Sequence, residues 1–164
     1  MEKARRKQIL IGILKWAALA LMAGFVLFGA LSRGTGSRTP YPQVEEAVLT
    51  GLDMSQMTEG DNQMVRRLYG LNPSDYEGVT LYYPSTNMGT DELLLVKLRD
   101  VGQQETVKTA MESRIQSQMD VFEGYAPAEY AALEQGIIEV RGNYLLLIVS
   151  KQQESVRQAF LKVL

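Results

Sequence analysis

The sequence predicts an α+β domain: a two-layer sandwich whose four-stranded antiparallel sheet carries two long helices on one face, preceded by two shorter helices and an N-terminal transmembrane helix. Three observations predict it. Residues 9–31 are an apolar run charged only at Lys15, behind the basic cluster Lys3, Arg5, Arg6 and Lys7. Downstream, a pattern of strand, strand, helix occurs twice. The second strand of each pair, Leu93-Leu94-Leu95-Val96 and residues 144–149, is apolar on both faces, as a strand in the middle of a covered sheet must be.

Hydrocarbon offers the backbone no hydrogen bonds, so about 20 apolar residues in a helix are the cheapest way across its roughly 30 Å. Residues 9–31 rise about 34 Å at about 1.5 Å per residue. Lys15 lies toward the cationic end, where its stem lets the ammonium reach the headgroups beside Trp16. The positive-inside bias puts that end in the cytoplasm. The run is longer than the core of a cleaved signal peptide, and Phe28-Gly-Ala-Leu-Ser32 is a poor cleavage site. The expected organisation is therefore a cytoplasmic basic segment 1–8, an uncleaved signal anchor 9–31, a linker 32–42 and an extracytoplasmic domain 43–164, at the cell membrane with its N-terminus inside.

Pro40 and Pro42 stiffen the exit from the linker, and Val44, Ala47 and Val48 recur at helical spacing over residues 43–50. A second helix is expected over 60–69, stopped by Gly70. Residues 77–83 are rich in β-formers, a loop covers 84–89, and a second strand covers 92–99, paired with the first. Val107, Ala110, Met111, Ile115, Met119 and Phe122 mark a long helix over 103–122. Pro127 opens a short helix to Gln135, Gly142-Asn143 turns a hairpin between strands 137–141 and 144–150, and Val156, Ala159, Phe160 and Val163 stripe a final helix. With the doubly apolar strands as central neighbours, the expected order is first-second-fourth-third. Leu93, Leu95, Leu145 and Leu147 are expected together on the face away from the long helices, covered by the N-terminal helices or by a partner.

From Tyr41 onward the chain has 10 Lys/Arg and 18 Asp/Glu, although its overall net charge is only -2. A basic anchor thus carries an acidic domain, which argues against nucleic acid, since phosphate contacts need clustered cations. Neither histidine nor cysteine occurs, which removes histidine-assisted nucleophiles, lipid-bearing cysteines and ordinary zinc sites. Glu59 with Asp61, and Asp91 with Glu92, are the remaining carboxylate pairs. Asp61 suits a helix start, and Asp91-Glu92 a strand beginning at the water edge. No catalytic residue, metal ligand or cofactor is expected. Arg66-Arg67 beside Tyr69 is a candidate grip for an anionic group. Tyr83 and Tyr125 add amphipathic rings, and Asn87 sits in the 84–89 loop. Arg67, Tyr69, Tyr83, Asn87 and Tyr125 are the candidate ligand or partner surface.

Asp61-Asn-Gln-Met-Val-Arg-Arg-Leu-Tyr-Gly-Leu71, Leu81-Tyr-Tyr-Pro-Ser-Thr-Asn-Met88, Asp91-Glu-Leu-Leu-Leu-Val-Lys97, Phe122-Glu-Gly-Tyr125 and Arg141-Gly-Asn-Tyr144 together carry a resemblance. Over about residues 44–164 the chain resembles the uncharacterised domain of unknown function 4358 family of Gram-positive, mostly anaerobic Firmicutes. That implies a membrane-anchored or lipoprotein-like protein. This chain departs from lipoprotein-like members by using a spanning helix, and the resemblance implies no activity. The expected function is a non-enzymatic binding or scaffolding module at the cell envelope, with an envelope protein as partner. The alternatives are a carboxylate-dependent cell-wall hydrolase and a small-ligand sensor.

Overall fold

A computed structural model describes residues 36–164. Segment 1–8, the expected span 9–31 and the start of the linker lie outside the described residues; among those described, no helix is long and apolar enough to cross a membrane.

The described chain is α+β, with five helices and five strands. They are α1 (Tyr41–Thr50), β1 (Met57–Gly60), α2 (Asn62–Tyr69), β2 (Gly78–Pro84), β3 (Glu92–Lys97), α3 (Gln104–Phe122), α4 (Pro127–Glu134), β4 (Ile137–Arg141), β5 (Tyr144–Val149) and α5 (Gln153–Val163). The sheet is antiparallel in the order β1-β2-β3-β5-β4, where four strands in the order first-second-fourth-third were expected. The difference is β1, which adds to the edge of β2 with Met57 opposite Pro84 and Gly60 opposite Leu81. Met57-Thr-Glu-Gly60 has no run of β-formers; only its partner makes it a strand. Gly60 was expected to open the second helix. It lies in β1 because the backbone passes so close to β2 that a Cβ there would meet the Leu81 side chain at 2.6 Å. The helix starts instead at Asp61, whose carboxylate accepts from the Met64 amide at 2.8 Å, and ends at Gly70 in the left-handed region, φ 67°.

The sheet is covered on both faces, so the domain has three layers and not two. Leu93 opposes Ile148 and Leu95 opposes Leu146, whereas Leu94 opposes Leu147 and Val96 opposes Leu145. Opposed residues share a face. Leu93 and Leu95 therefore sit with Leu146 and Ile148, not with Leu145 and Leu147. On that face they pack with Val44 and Val48 of α1 and Val156 and Phe160 of α5. On the other, Leu94, Val96, Leu145 and Leu147 pack with Val65 of α2, Val107, Met111 and Phe122 of α3 and Leu133 of α4. The two long helices α3 and α5 thus lie on opposite faces. β3 and β5 are apolar on both sides, and the short α1 cannot cover one of them alone. Of the two covers expected for Leu93 and Leu95, the N-terminal helix α1 is the one found, joined by α5, while Met64 and Leu68 of α2 pack on the other face; Leu93 and Leu95 are each 0 % exposed, so no partner surface lies there.

Candidate functional site

The first residue of β3 carries the least expected feature of the domain. Glu92 is 1 % exposed, on the same face as Leu94 and Val96, and does not stand at the water edge. A lone buried carboxylate would cost several kcal/mol in lost hydration. Three side chains donate to it. Arg114 does so through Nε at 3.0 and 3.3 Å and through Nη2 at 2.8 Å, Gln118 through Nε2 at 2.9 Å, and the Tyr69 hydroxyl makes a short bond to Oε1. Arg114 and Gln118 are one turn apart on α3, so both reach the same acceptor. Burial, reinforced by the Glu92 charge, pushes the Tyr69 hydroxyl well above its ordinary pKa. For Arg114 burial works against the charged form, but the Glu92 hydrogen bonds and charge outweigh it and raise its pKa. The guanidinium is therefore a fixed, permanent cation.

In front of this cluster a cleft of about 560 Å³ opens between α2, the β2–β3 loop and α3. Met64, Arg67 and Leu68 of α2 form one wall; Arg114, Ser117, Gln118, Val121 and Phe122 of α3 form another. Tyr83, Pro84, Thr86, Asn87 and Gly89 close it from the hairpin side. No aspartate or glutamate lines it. Arg67 is exposed and, among the described residues, makes no ion pair or side-chain hydrogen bond. With Arg114 paired to Glu92, the uncompensated charge of the cleft is that of Arg67, a positive charge between apolar walls in a domain with 18 acidic residues against 10 basic ones. It can hold an anionic group with apolar substituents through bidentate guanidinium hydrogen bonds.

Residues 51–150 match the model of a family described as Domain of unknown function (DUF4358). The chain belongs to that family. No curated protein matches it significantly, and neither does any solved structure. The stretch matched to DUF4358 holds every residue of the cleft and of the Glu92 cluster, whereas α1 and α5, which cover the other sheet face, fall outside it.

Of the residues singled out from the sequence, Arg67, Tyr83 and Asn87 meet in the DUF4358 cleft. Tyr69 lies behind it, 6 % exposed, its hydroxyl spent on Glu92. Tyr125 stands beside it, its ring centroid 5.9 Å from that of Phe122, without lining it. Arg66 turns away from Arg67 and donates to Asn72 Oδ1 at 3.0 and 3.3 Å, so the two arginines do not act as a pair. Glu92, expected at the water edge of its strand, is instead interior, and its partners Arg114 and Gln118 were not among the expected site residues. A signal was present: Val107, Met111, Arg114, Gln118 and Phe122 continue one three-to-four stripe on α3, with two polar residues where the spacing calls for apolar ones. Among the described residues no group of three or more acidic side chains could hold a metal ion.

A second buried charge closes the far end of β3. Lys97, 6 % exposed, donates through Nζ to Glu77 Oε1 at 2.6 Å and to the Thr39 carbonyl at 3.2 Å, and lies 5.3 Å from the centre of the Tyr144 ring. The Tyr144 hydroxyl donates to the same carbonyl at 2.8 Å. The chain entering the domain is thereby fastened to the sheet at Thr39.

Proposed function

We propose that this DUF4358 protein is a non-enzymatic binding module of the cell envelope, and that the cleft is its binding site. In this reading the apolar segment 9–31 anchors it in the membrane of a Firmicutes cell, with residues 1–8 inside and the domain outside. The observation that carries the reading is the pairing of Arg67 and Arg114 in one cleft without a lining carboxylate. Glu92 holds the Arg114 guanidinium in place, so an incoming anion meets a donor whose geometry is set beforehand, and Arg67 supplies the uncompensated positive charge. The hydrolase alternative needs two acidic side chains about 5 to 9.5 Å apart in one pocket; the cleft lining provides none. A sensor of small anions would use the same cleft, whose volume lies in the usual small-ligand range of about 300–1,000 Å³.

Photo-crosslinking in living cells tests the site. With benzoylphenylalanine replacing Asn87 or Ser117 in the full-length chain, adducts are expected at both positions and not at Gln158 of α5. No adduct at either cleft position would overturn the reading. Topology is tested with Gln158→Cys: the natural chain has no cysteine, so a membrane-impermeant maleimide should label this variant in intact cells and leave the parent unlabelled.

A further inference from the structure

The large apolar side chains exposed on the domain are Met54, Met88, Val121 and Tyr125. Three of these four border the cleft. Val121 lines it; Met88 stands in the loop between the lining residues Asn87 and Gly89; Tyr125 rests on the ring of Phe122. The apolar rim therefore extends beyond the cavity on two sides, along the hairpin loop and past the C-terminal end of α3. A small anion held between the arginines would leave Met88 and Tyr125 in water. Arginine, tyrosine and methionine around a concave centre are the composition of a protein-binding hot spot.

We propose that the cleft docks an extended peptide segment of a partner protein, one carboxylate of which sits between Arg67 and Arg114 while flanking apolar side chains cover Met88, Val121 and Tyr125. This rests on the cleft being the binding site. Charge narrows the peptide further. The domain is acidic overall, so a segment with many carboxylates is repelled by everything except the cleft. A single carboxylate among apolar residues meets only the two arginines and the rim. The Thr86 and Asn87 side chains lie at the cleft edge, within the loop, where a peptide backbone passing over it finds hydrogen-bonding groups.

The test uses the full chain in phosphatidylcholine nanodiscs and phage-displayed random short peptides, counter-selected on empty nanodiscs. Enriched peptides are expected to share one Asp or Glu flanked by large apolar residues. For a synthetic copy of one such peptide, Kd should rise about tenfold or more in Arg67→Ala and in Val121→Asp, and stay unchanged in Gln158→Ala. Arg67 and Val121 are exposed, so both variants should melt with the parent, which separates lost binding from lost folding. No enrichment, enrichment of peptides without a carboxylate, or equal binding to Arg67→Ala overturns the proposal. If position 87 instead carries an adduct of small-molecule mass in cells, the binding module stands and its peptide occupant falls.

Discussion

β3 is six residues long and carries a buried charge at each end, and the two ends solve the same problem differently. At one end Glu92 is surrounded by side chains from two helices, α2 and α3, which supply all its partners. At the other, on the opposite face, Lys97 is held by Glu77, by a tyrosine ring and by a backbone carbonyl of the entering chain. Glu92 has no route to water, so its partners are obligatory. Glu77, half exposed at 49 %, can be solvated without Lys97. The first arrangement makes a rigid back wall for the cleft; the second makes a clip for the chain entering the domain at Thr39. A buried charge on a central strand is therefore not one kind of feature. What distinguishes the two is how deeply the charged partner is buried: the Arg114 side chain is 18 % exposed and the Glu77 side chain 49 %.

The largest effect expected to follow from that difference is at Glu92. Glu92→Leu leaves Arg114, Gln118 and Tyr69 facing a hydrocarbon side chain and should lower unfolding free energy by about 3–5 kcal/mol in urea denaturation. Glu92→Leu with Arg114→Met should regain most of this, because the uncompensated cation is gone; a double variant no more stable than the single one would break the comparison. Gly78→Ala should cost about 1–3 kcal/mol at the other end. A Cβ at Gly78 would meet the Tyr41 ring at 2.5 Å, and Tyr41 is the residue that donates to Thr80 and stacks on Tyr144, with ring centroids 6.4 Å apart. Thermal melting checks this, and a Tyr41→Ala background should absorb most of the cost.

Lys97→Met should cost less, about 1.5 kcal/mol, since Glu77 rehydrates and the Tyr144 hydroxyl still satisfies the Thr39 carbonyl. Its sign with pH is fixed by the lysine. Burial alone would lower its pKa, but the Glu77 hydrogen bond and the neighbouring charges raise it above the ordinary 10.5. A raised folded pKa means that the stabilisation is complete below that ordinary value and lost as pH rises through the folded one. The gap between parent and Lys97→Met should therefore narrow on going from pH 9 to pH 11; a constant gap would show that the ammonium charge contributes nothing. The smallest change is Asp61→Ala, which removes the cap of α2 at about 1 kcal/mol, read by the urea midpoint.

Legibility follows the range of the signal. The helices over 104–122 and 127–134, the turn at Gly142-Asn143 and the doubly apolar β3 and β5 were visible because the residues that define them lie within a few positions of one another. β1 was not, since Met57–Gly60 becomes a strand only through its backbone pairing with β2. Arg67, Tyr83 and Asn87 stand out separately in the sequence for their chemistry, and the fold brings them to one cleft. Tyr69 stands out on the same grounds and is interior. A tyrosine on a helix stripe looks the same in sequence whether its hydroxyl meets water or a carboxylate 23 positions away.

By itself the sequence determined the class of secondary structure at most positions, the contrast between a basic N-terminal segment and an acidic domain, and the absence of histidine and cysteine chemistry. Each depends on composition or on spacing along the chain. The tertiary structure alone decided which face each helix covers, that Glu92 is buried and that Arg114 stands over a cleft. These are settled by partners far off in sequence: a helix stripe or a charged strand end has the same local energetics on either face, and only packing against the rest of the molecule makes one of them lower in free energy.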